Sequence, residues 1–182
     1  DRHCLETEPH KILEGVLITA WAIQADEVYI YLRDEYPEIR ALLETEIEAV
    51  RAAGLAEGTE IHLRRGAGAY VCGEESALLE SIEGKRGLPR NRPPYPAQRG
   101  LFGRPTIINN VETMFWVGEI LTHGAQWYQE QGRPRFYCVS GRVRNPGVVR
   151  APSGVTARQL IDEHCGGMSD GHVFKGFLPG GA

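Results

Sequence analysis

EVYIYL at residues 27–32, PEIRALLETEIEAVRAA at 37–53 and EIHLRR at 60–65 are the segments that decide the fold. The first is rich in β-branched and aromatic residues, the composition of a strand, and the third reads as a second short strand. Between them Ile39, Leu42, Leu43, Ile47 and Val50 fall on one face of a helix. Pro37 sits in its first turn and Gly54 just past its end, where helix boundaries favour them. Upstream, residues 10–24 (HKILEGVLITAWAIQ) are largely apolar and long enough for a helix packed inside a protein. The stretch Gly15–Ile23 is about half the roughly 20 residues of a membrane span and is expected to be a buried helix. Helix, strand, helix, strand in succession predicts a three-layer α/β domain with a parallel sheet.

Downstream, a glycine-rich loop GAGAYVCGEE (66–75) runs into a helical pattern that starts at Ser76 and is closed by Gly84. Residues 85–100 (KRGLPRNRPPYPAQRG) carry Pro89, Pro93, Pro94 and Pro96 among basic residues, the composition of an extended, semi-rigid loop. Asn110 is placed to cap a helix over 111–121, with Val111, Met114, Phe115, Gly118 and Leu121 on its buried face. From Gly132 the texture changes. Strands are predicted at 136–140, 148–150 and 172–178, a turn at Arg144-Asn145-Pro146-Gly147, and a helix capped by Thr156 and ending at Gly166-Gly167.

The chain has 182 residues, of which 42% are hydrophobic and 24% charged, enough for a sizeable core in one domain or two small ones. Its formal charge of −4 is made of interspersed charges, so nothing marks a nucleic-acid footprint. Cys4, Cys72, Cys138 and Cys165 are widely separated. Without a C-x-x-C pair they offer no metal site of their own, and they suit a reducing compartment. Cys4, Cys138 and Cys165 are read as ordinary small buried residues.

Chemistry concentrates in the 66–75 loop. Glycines let a backbone approach a ligand closely, and a helix N-terminus offers free N–H groups with partial positive charge. The spacing is not the dinucleotide fingerprint G-x-G-x-x-G. Gly68 to Gly73 does match G-x-x-x-x-G, but Glu74 and Glu75 stand where a triphosphate loop needs Lys and Ser or Thr. Carboxylates there suit hydrogen bonds from ribose hydroxyls, a carboxamide or ring N–H groups. The alternative is that both glutamates simply complement the helix dipole. Nearby, Arg92 offers charge to a pyrophosphate, Tyr95 a stacking face, and Asn109 and Asn110 amides for a heterocycle.

The stretches GAGAYVCGEESALLESIEGKRG and RPPYPAQRGLFGRPTIINNVET closely resemble the FMN- and NADH-binding core of the complex I flavoprotein subunit. That core is shared by the diaphorase subunits of NAD-dependent formate dehydrogenases and NAD-reducing hydrogenases. The opening DRHCLETEPHKILEG and the C-terminal region are also similar, so the resemblance covers nearly the whole chain. It implies a Rossmann-like FMN- and NADH-binding α/β domain over residues 1–131, followed by a small β-grasp (soluble-ligand-binding) domain over 132–182.

By this resemblance Tyr70, Gly73, Glu74 and Glu75 line the flavin, and Asn109, Asn110 and Thr113 hold it from the other side with Ile108 packed nearby. Glu75 also faces the nicotinamide. Arg92 stands where many members have lysine, and Tyr95 where many have phenylalanine against the NADH ring. The implied function is hydride transfer from NADH to FMN, then one-electron transfer to iron–sulfur clusters of a multisubunit complex. No acid or base residue is assigned, because direct hydride transfer needs none.

The implied partners are NADH/NAD and iron–sulfur subunits: a thioredoxin-like [2Fe–2S] subunit and catalytic or membrane subunits. The implied location is cytoplasmic, peripheral on the cytoplasmic side of the membrane, without direct membrane insertion. The family's first glycine-rich FMN loop and its C-terminal cysteine motif for a [4Fe–4S] cluster are not among these residues. A piece of a longer polypeptide is therefore expected, inactive in isolation. Gly84-Lys85-Arg86-Gly87 is similar to formate dehydrogenase β subunits, and the Asn-Val-Glu-Thr run to complex I. A second reading is a non-catalytic module that docks partner subunits around an incomplete nucleotide site.

Overall fold

Two helices open the chain, α1 (Arg2–Thr7) and α2 (Pro9–Ile23), the second with proline in its first turn. Strand β1 (Glu27–Leu32), helix α3 (Pro37–Ala52) and strand β2 (Glu60–Arg65) follow. β1 and β2 pair in parallel, Val28 opposite Ile61 and Ile30 opposite Leu63. Parallel neighbours need a crossover, and α3 supplies it. A computed structural model describes residues 1–180. They divide into two units, Asp1–Gly118 and the residues from Glu119 onward.

The core of the first unit lies between the sheet and its helices. α2 packs on β1, α3 on β2, and the two helices on each other. α3 turns Ile39, Leu43, Ile47 and Val50 inward, as its spacing predicts, and Ile61 and Leu32 meet them from the strands. Each such side chain contributes roughly 1.5–3 kcal/mol by leaving water. Arg51 fastens the arrangement by donating to the Ile61 carbonyl at 2.6 Å. Side chains alternate along a strand, so Tyr29, Tyr31 and His62 occupy the other face. Tyr29 stacks on His62 at 4.5 Å and meets Phe102 edge-on, while the Tyr31 hydroxyl bonds Ser81 at 2.9 Å. Ser81 belongs to α4 (Glu75–Ile82), so the sheet is covered on both faces.

Beyond α4 the chain forms a short helix, α5 (Pro96–Arg99), a 3₁₀ turn at Leu101–Gly103, and α6 (Val111–His123). α6 lies tightly against α2. A Cβ at Gly15 would collide with the Met114 carbonyl, and one at Gly118 would stand 2.8 Å from the Glu14 carboxylate. The Thr19 hydroxyl reaches the Met114 sulfur at 3.5 Å across the same seam.

In the second unit α7 (Ala125–Glu130) precedes strands β3 (Arg135–Val139) and β4 (Gly147–Ala151), paired antiparallel with Phe136 opposite Arg150. Thr156 caps α8 (Ala157–Gln159) through a capping box with Gln159, as its position suggests, and the chain continues as a π-helical turn over Leu160–His164. Val143, Ile161 and Cys165 form this unit's core, with Val139, Val149, Met168 and Phe174 packed around them.

Several expectations need correction. No strand forms at 172–178. Among the described residues β3 and β4 pair with each other, and neither pairs with this segment. Val173 and Leu178 are nearly fully exposed, and Phe174 alone turns onto the core. The 85–100 loop is not extended throughout, because its last residues wind into α5. The glycine loop contains a 3₁₀ turn at Tyr70–Gly73. Gly15–Ile23 is helical, yet Trp21 lies on the side away from Ile12, Leu13 and Ala20 and is 82% exposed. On α6, Leu121 is exposed although it shares the face of Met114 and Gly118, and Trp116 is buried, so burial does not follow the helical spacing along its whole length. Cys138 is exposed rather than buried, since it projects from β3 on the side opposite Val139. Among the described residues no helix is long and apolar enough to cross a membrane.

Because the α2–α6 seam leaves no room at Gly15, Gly15→Ala is expected to lower stability by about 1–3 kcal/mol through overpacking. Urea denaturation checks this, and an unchanged midpoint would contradict so close an approach.

Candidate functional site

The candidate site gathers beyond the C-terminal ends of the two parallel strands, where open α/β sheets place ligands. β2 ends at Arg65, and the Ala67 amide donates to the Tyr31 hydroxyl at 2.9 Å, which holds the loop to the sheet. After the 3₁₀ turn, Glu74 stands in extended conformation as the N-cap of α4. One of its carboxylate oxygens accepts from the Ser76 amide at 3.0 Å, the Ala77 amide at 2.9 Å and the Ser76 hydroxyl at 2.6 Å. Its other oxygen takes the Arg92 guanidinium at 2.6 Å. Burial pushes the Glu74 carboxyl up, but the Ser76 and Ala77 hydrogen bonds and the Arg92 charge outweigh it, and the group lies below the ordinary carboxylate range. Of the two glutamates, Glu74 thus supports the helix end.

Glu75 is differently placed. It opens α4, keeps 41% of its side chain exposed, and meets the same Arg92 guanidinium at 2.7 Å. Arg92 lies after Asn91 and before Pro93 on the proline-rich segment and bridges both glutamates. With about a third of each partner's surface in water, these ion pairs are worth no more than about 1 kcal/mol. A phosphate can therefore compete for Arg92 at little expense. Tyr70, 89% exposed, and Tyr95, 54% exposed, present free aromatic faces on the loop and the proline segment.

Space around the loop is uneven. A Cβ at Gly87 would lie 2.5 Å from the Cys72 sulfur, so the proline segment crosses tightly behind the loop and Cys72 is a packing residue. At Gly73 nothing lies within 4 Å of an added Cβ, and the backbone there is not left-handed. The fold itself does not require glycine at Gly73. The backbone at Gly73 is therefore open to close approach from outside.

The second group sits at the start of α6. Asn110 accepts from the Thr113 amide at 2.8 Å and the Thr113 hydroxyl at 2.6 Å, the cap expected from its position. Its carbonyl oxygen and the Thr113 hydroxyl are thereby engaged, which leaves the Asn110 amide N–H groups and Asn109 as the polar atoms on offer. Ile108 is half-buried beside them. The structure thus joins Arg92 to Glu74 and Glu75, and Asn110 to Thr113. Among the described residues no hydrogen bond links the two groups.

The sequence reading missed the anchor beneath Arg92. Arg90 donates to Glu80 at 2.5 Å and to the Gly100 carbonyl at 3.0 Å, and pairs with Glu83 at 2.8 Å. Glu83 also receives Lys85 at 2.7 Å and the Phe102 amide at 2.8 Å. Burial raises the Glu83 carboxyl, yet these donors more than reverse it, to about 2. The available signal was Arg90 between Pro89 and Asn91, ten residues from Glu80 on a helix that the same loop follows. Its weakness is that a charged loop residue is usually solvated.

An α/β protein with a parallel strand pair and a glycine-rich loop leading into a helix is what these elements define. The sequence profile of the Nuo51 FMN-binding domain matches residues 1–119, and that of the SLBB domain matches residues 136–181. The chain belongs to the Nuo51 FMN-binding domain family. It is 43% identical to an NADH-quinone oxidoreductase subunit of Rhizobium meliloti over all of this chain and 46% of that protein. It is 44% identical to the mitochondrial NADH dehydrogenase (ubiquinone) flavoprotein 1 of Dictyostelium discoideum, again over all of this chain and 41% of the relative. An NAD⁺-reducing [NiFe]-hydrogenase in the H₂-reduced state superposes with a TM-score of 0.84 at 44% identity, over 88% of this chain and 29% of the hydrogenase chain. The chain spans under half the length of the curated relatives it matches.

The depressed Glu83 carboxyl has a direct consequence. Its contribution is fully present above the ordinary value of 4.5 and is lost as pH falls toward about 2. Glu83→Gln should remove on the order of 2 kcal/mol of stability near neutral pH, screening taking off part of the full value. Denaturation midpoints at pH 7 and pH 3 check this: the gap between the variant and the parent narrows at the lower pH, and a constant gap would contradict it.

Proposed function

We propose that the protein to which these residues belong is an NADH-oxidising flavoprotein subunit that passes electrons to iron–sulfur centres. The observation that carries the proposal is the conjunction at the α4 N-terminus. An open glycine backbone, Glu75 and Arg92 meet there, next to two exposed aromatic faces. When bound, FMN supplies hydride acceptance from NADH and onward delivery in single electrons.

This chain's own residues do the binding and orienting. Gly73 lets the flavin approach the backbone, Tyr70 offers it a flat face, and Ile108, Asn109, Asn110 and Thr113 border it with amides and an apolar side. Glu74 keeps the α4 N-terminus rigid. Glu75 accepts hydrogen bonds from the ribose or carboxamide of NADH, Arg92 leaves it for the pyrophosphate, and Tyr95 stacks on the dinucleotide. No side chain needs to move a proton.

The wider reading is a Rossmann-like domain up to residue 131 and a β-grasp domain after it. Partner iron–sulfur subunits, one of them thioredoxin-like, complete the complex at the cytoplasmic face of the membrane. The [4Fe–4S] cluster expected in the whole protein draws its ligands from outside this chain. Both the complex I type and the formate dehydrogenase type remain compatible with the site. The alternative, a docking module without catalysis, is favoured by one observation, the capping role of Glu74, and predicts that no flavin is held.

Glu75→Gln in the full-length protein is expected to lower kcat/KM for NADH about tenfold or more at unchanged flavin content. Gly73→Val is expected to lower flavin content while leaving the denaturation midpoint near that of the parent. Absorbance of bound flavin and steady-state NADH oxidation read both out. Full flavin in the Gly73 variant together with unaltered kinetics in the Glu75 variant would sink the proposal.

A further inference from the structure

The segment that carries Arg92 and Tyr95 is tethered at both ends to the same helix. At its near end the Arg90 amide donates to the Ser76 hydroxyl at 2.8 Å, and that hydroxyl donates in turn to Glu74. At its far end the Gly100 carbonyl accepts from the Arg90 guanidinium, and the Phe102 amide donates to Glu83. Arg90 touches both tethers, and its remaining donors reach Glu80 and Glu83 on and just past α4. Its side chain is 24% exposed, Glu80 20% and Glu83 8%, so this cluster is far better shielded than the Arg92 pairs above it. Shielded, forked arginine–carboxylate contacts hold geometry that exposed single pairs do not. Ser76, 2% exposed, is the only buried polar residue among the described residues, and it sits where the two tethers converge on the glutamate cap.

We propose that Arg90 is a positioning residue for NADH. Clamped by Glu80 and Glu83, it fixes Arg92 over the α4 N-terminus so that Arg92 is presented to the dinucleotide, and it touches neither cofactor itself. The proposal rests on the NADH-site reading above. It adds that affinity for NADH is governed from a cluster at the opposite end of α4. Arginine is required because its planar fork serves Glu80, Glu83 and the Gly100 carbonyl together, which a lysine ammonium on a flexible stem cannot do in one geometry.

The test uses the full-length flavoprotein, with NADH oxidation followed by ferricyanide reduction and bound flavin measured for every variant. Arg92→Ala is expected to raise KM for NADH about tenfold, and Arg90→Lys about fivefold, each with kcat within about twofold and flavin content unchanged. Because Arg90 acts through Arg92, the double variant should be no worse than Arg92→Ala alone. Glu80→Gln, which loosens the clamp while leaving the Arg90–Glu83 pair, should raise KM about two- to threefold and lose that effect in the Arg92→Ala background. It provides the answer should Arg90→Lys fail to fold. Multiplicative effects in the double variants would overturn the positioning role while leaving the NADH site standing. So would an unchanged KM in Arg90→Lys and Glu80→Gln when Arg92→Ala raises it. An Arg92→Ala protein with full flavin and a normal KM would overturn both.

Discussion

The Glu74 carboxylate takes hydrogen bonds from the first-turn amides of α4 and from Ser76, and an ion pair from Arg92. Four parts of the molecule meet at this one group: the glycine loop that precedes it, the helix that follows it, the serine beneath it and the proline segment above it. A helix leaves its first N–H groups without partners, and Glu74 satisfies two of them from the residue that also ends the loop. The loop is thereby held open on its outer side, at Gly73, while its inner side is closed by the Gly87–Cys72 contact.

A division of labour between adjacent carboxylates follows. Glu74 is enclosed by donors that keep it ionised, whereas Glu75 is half in water and bonded to a single exchangeable cation. The first is suited to hold structure and the second to exchange partners. The ion pairs grade in the same sense along the proline segment, shielded at Arg90 and exposed at Arg92. The proline segment is thus firmly held at its base and weakly paired at its tip.

Much of this was legible in the residues. The parallel pair and its crossover helix follow from the spacing of Ile39, Leu43, Ile47 and Val50 between two short strand segments, and the Asn110 and Thr156 caps from their positions. The 66–75 loop stood out because glycines and paired glutamates precede a helix. What was hidden depends on contacts between distant segments. Nothing local distinguishes Glu74 as cap from Glu75 as the more exposed carboxylate paired, among the described residues, only with Arg92, and only the fold brings Arg90 to Glu80. The segment 172–178 has the apolar content of a strand, but a strand exists only beside a partner, and composition does not supply one. Leu121 and Cys138 show the same limit, since burial depends on what lies opposite.

The most direct test of the account is an anaerobic visible spectrum of the full-length protein, reconstituted with FMN, before and after NADH is added. The account predicts a flavin band that bleaches on addition of NADH. A protein that retains no flavin, or whose flavin band NADH leaves unchanged, would contradict it and leave the glycine loop with a purely structural role.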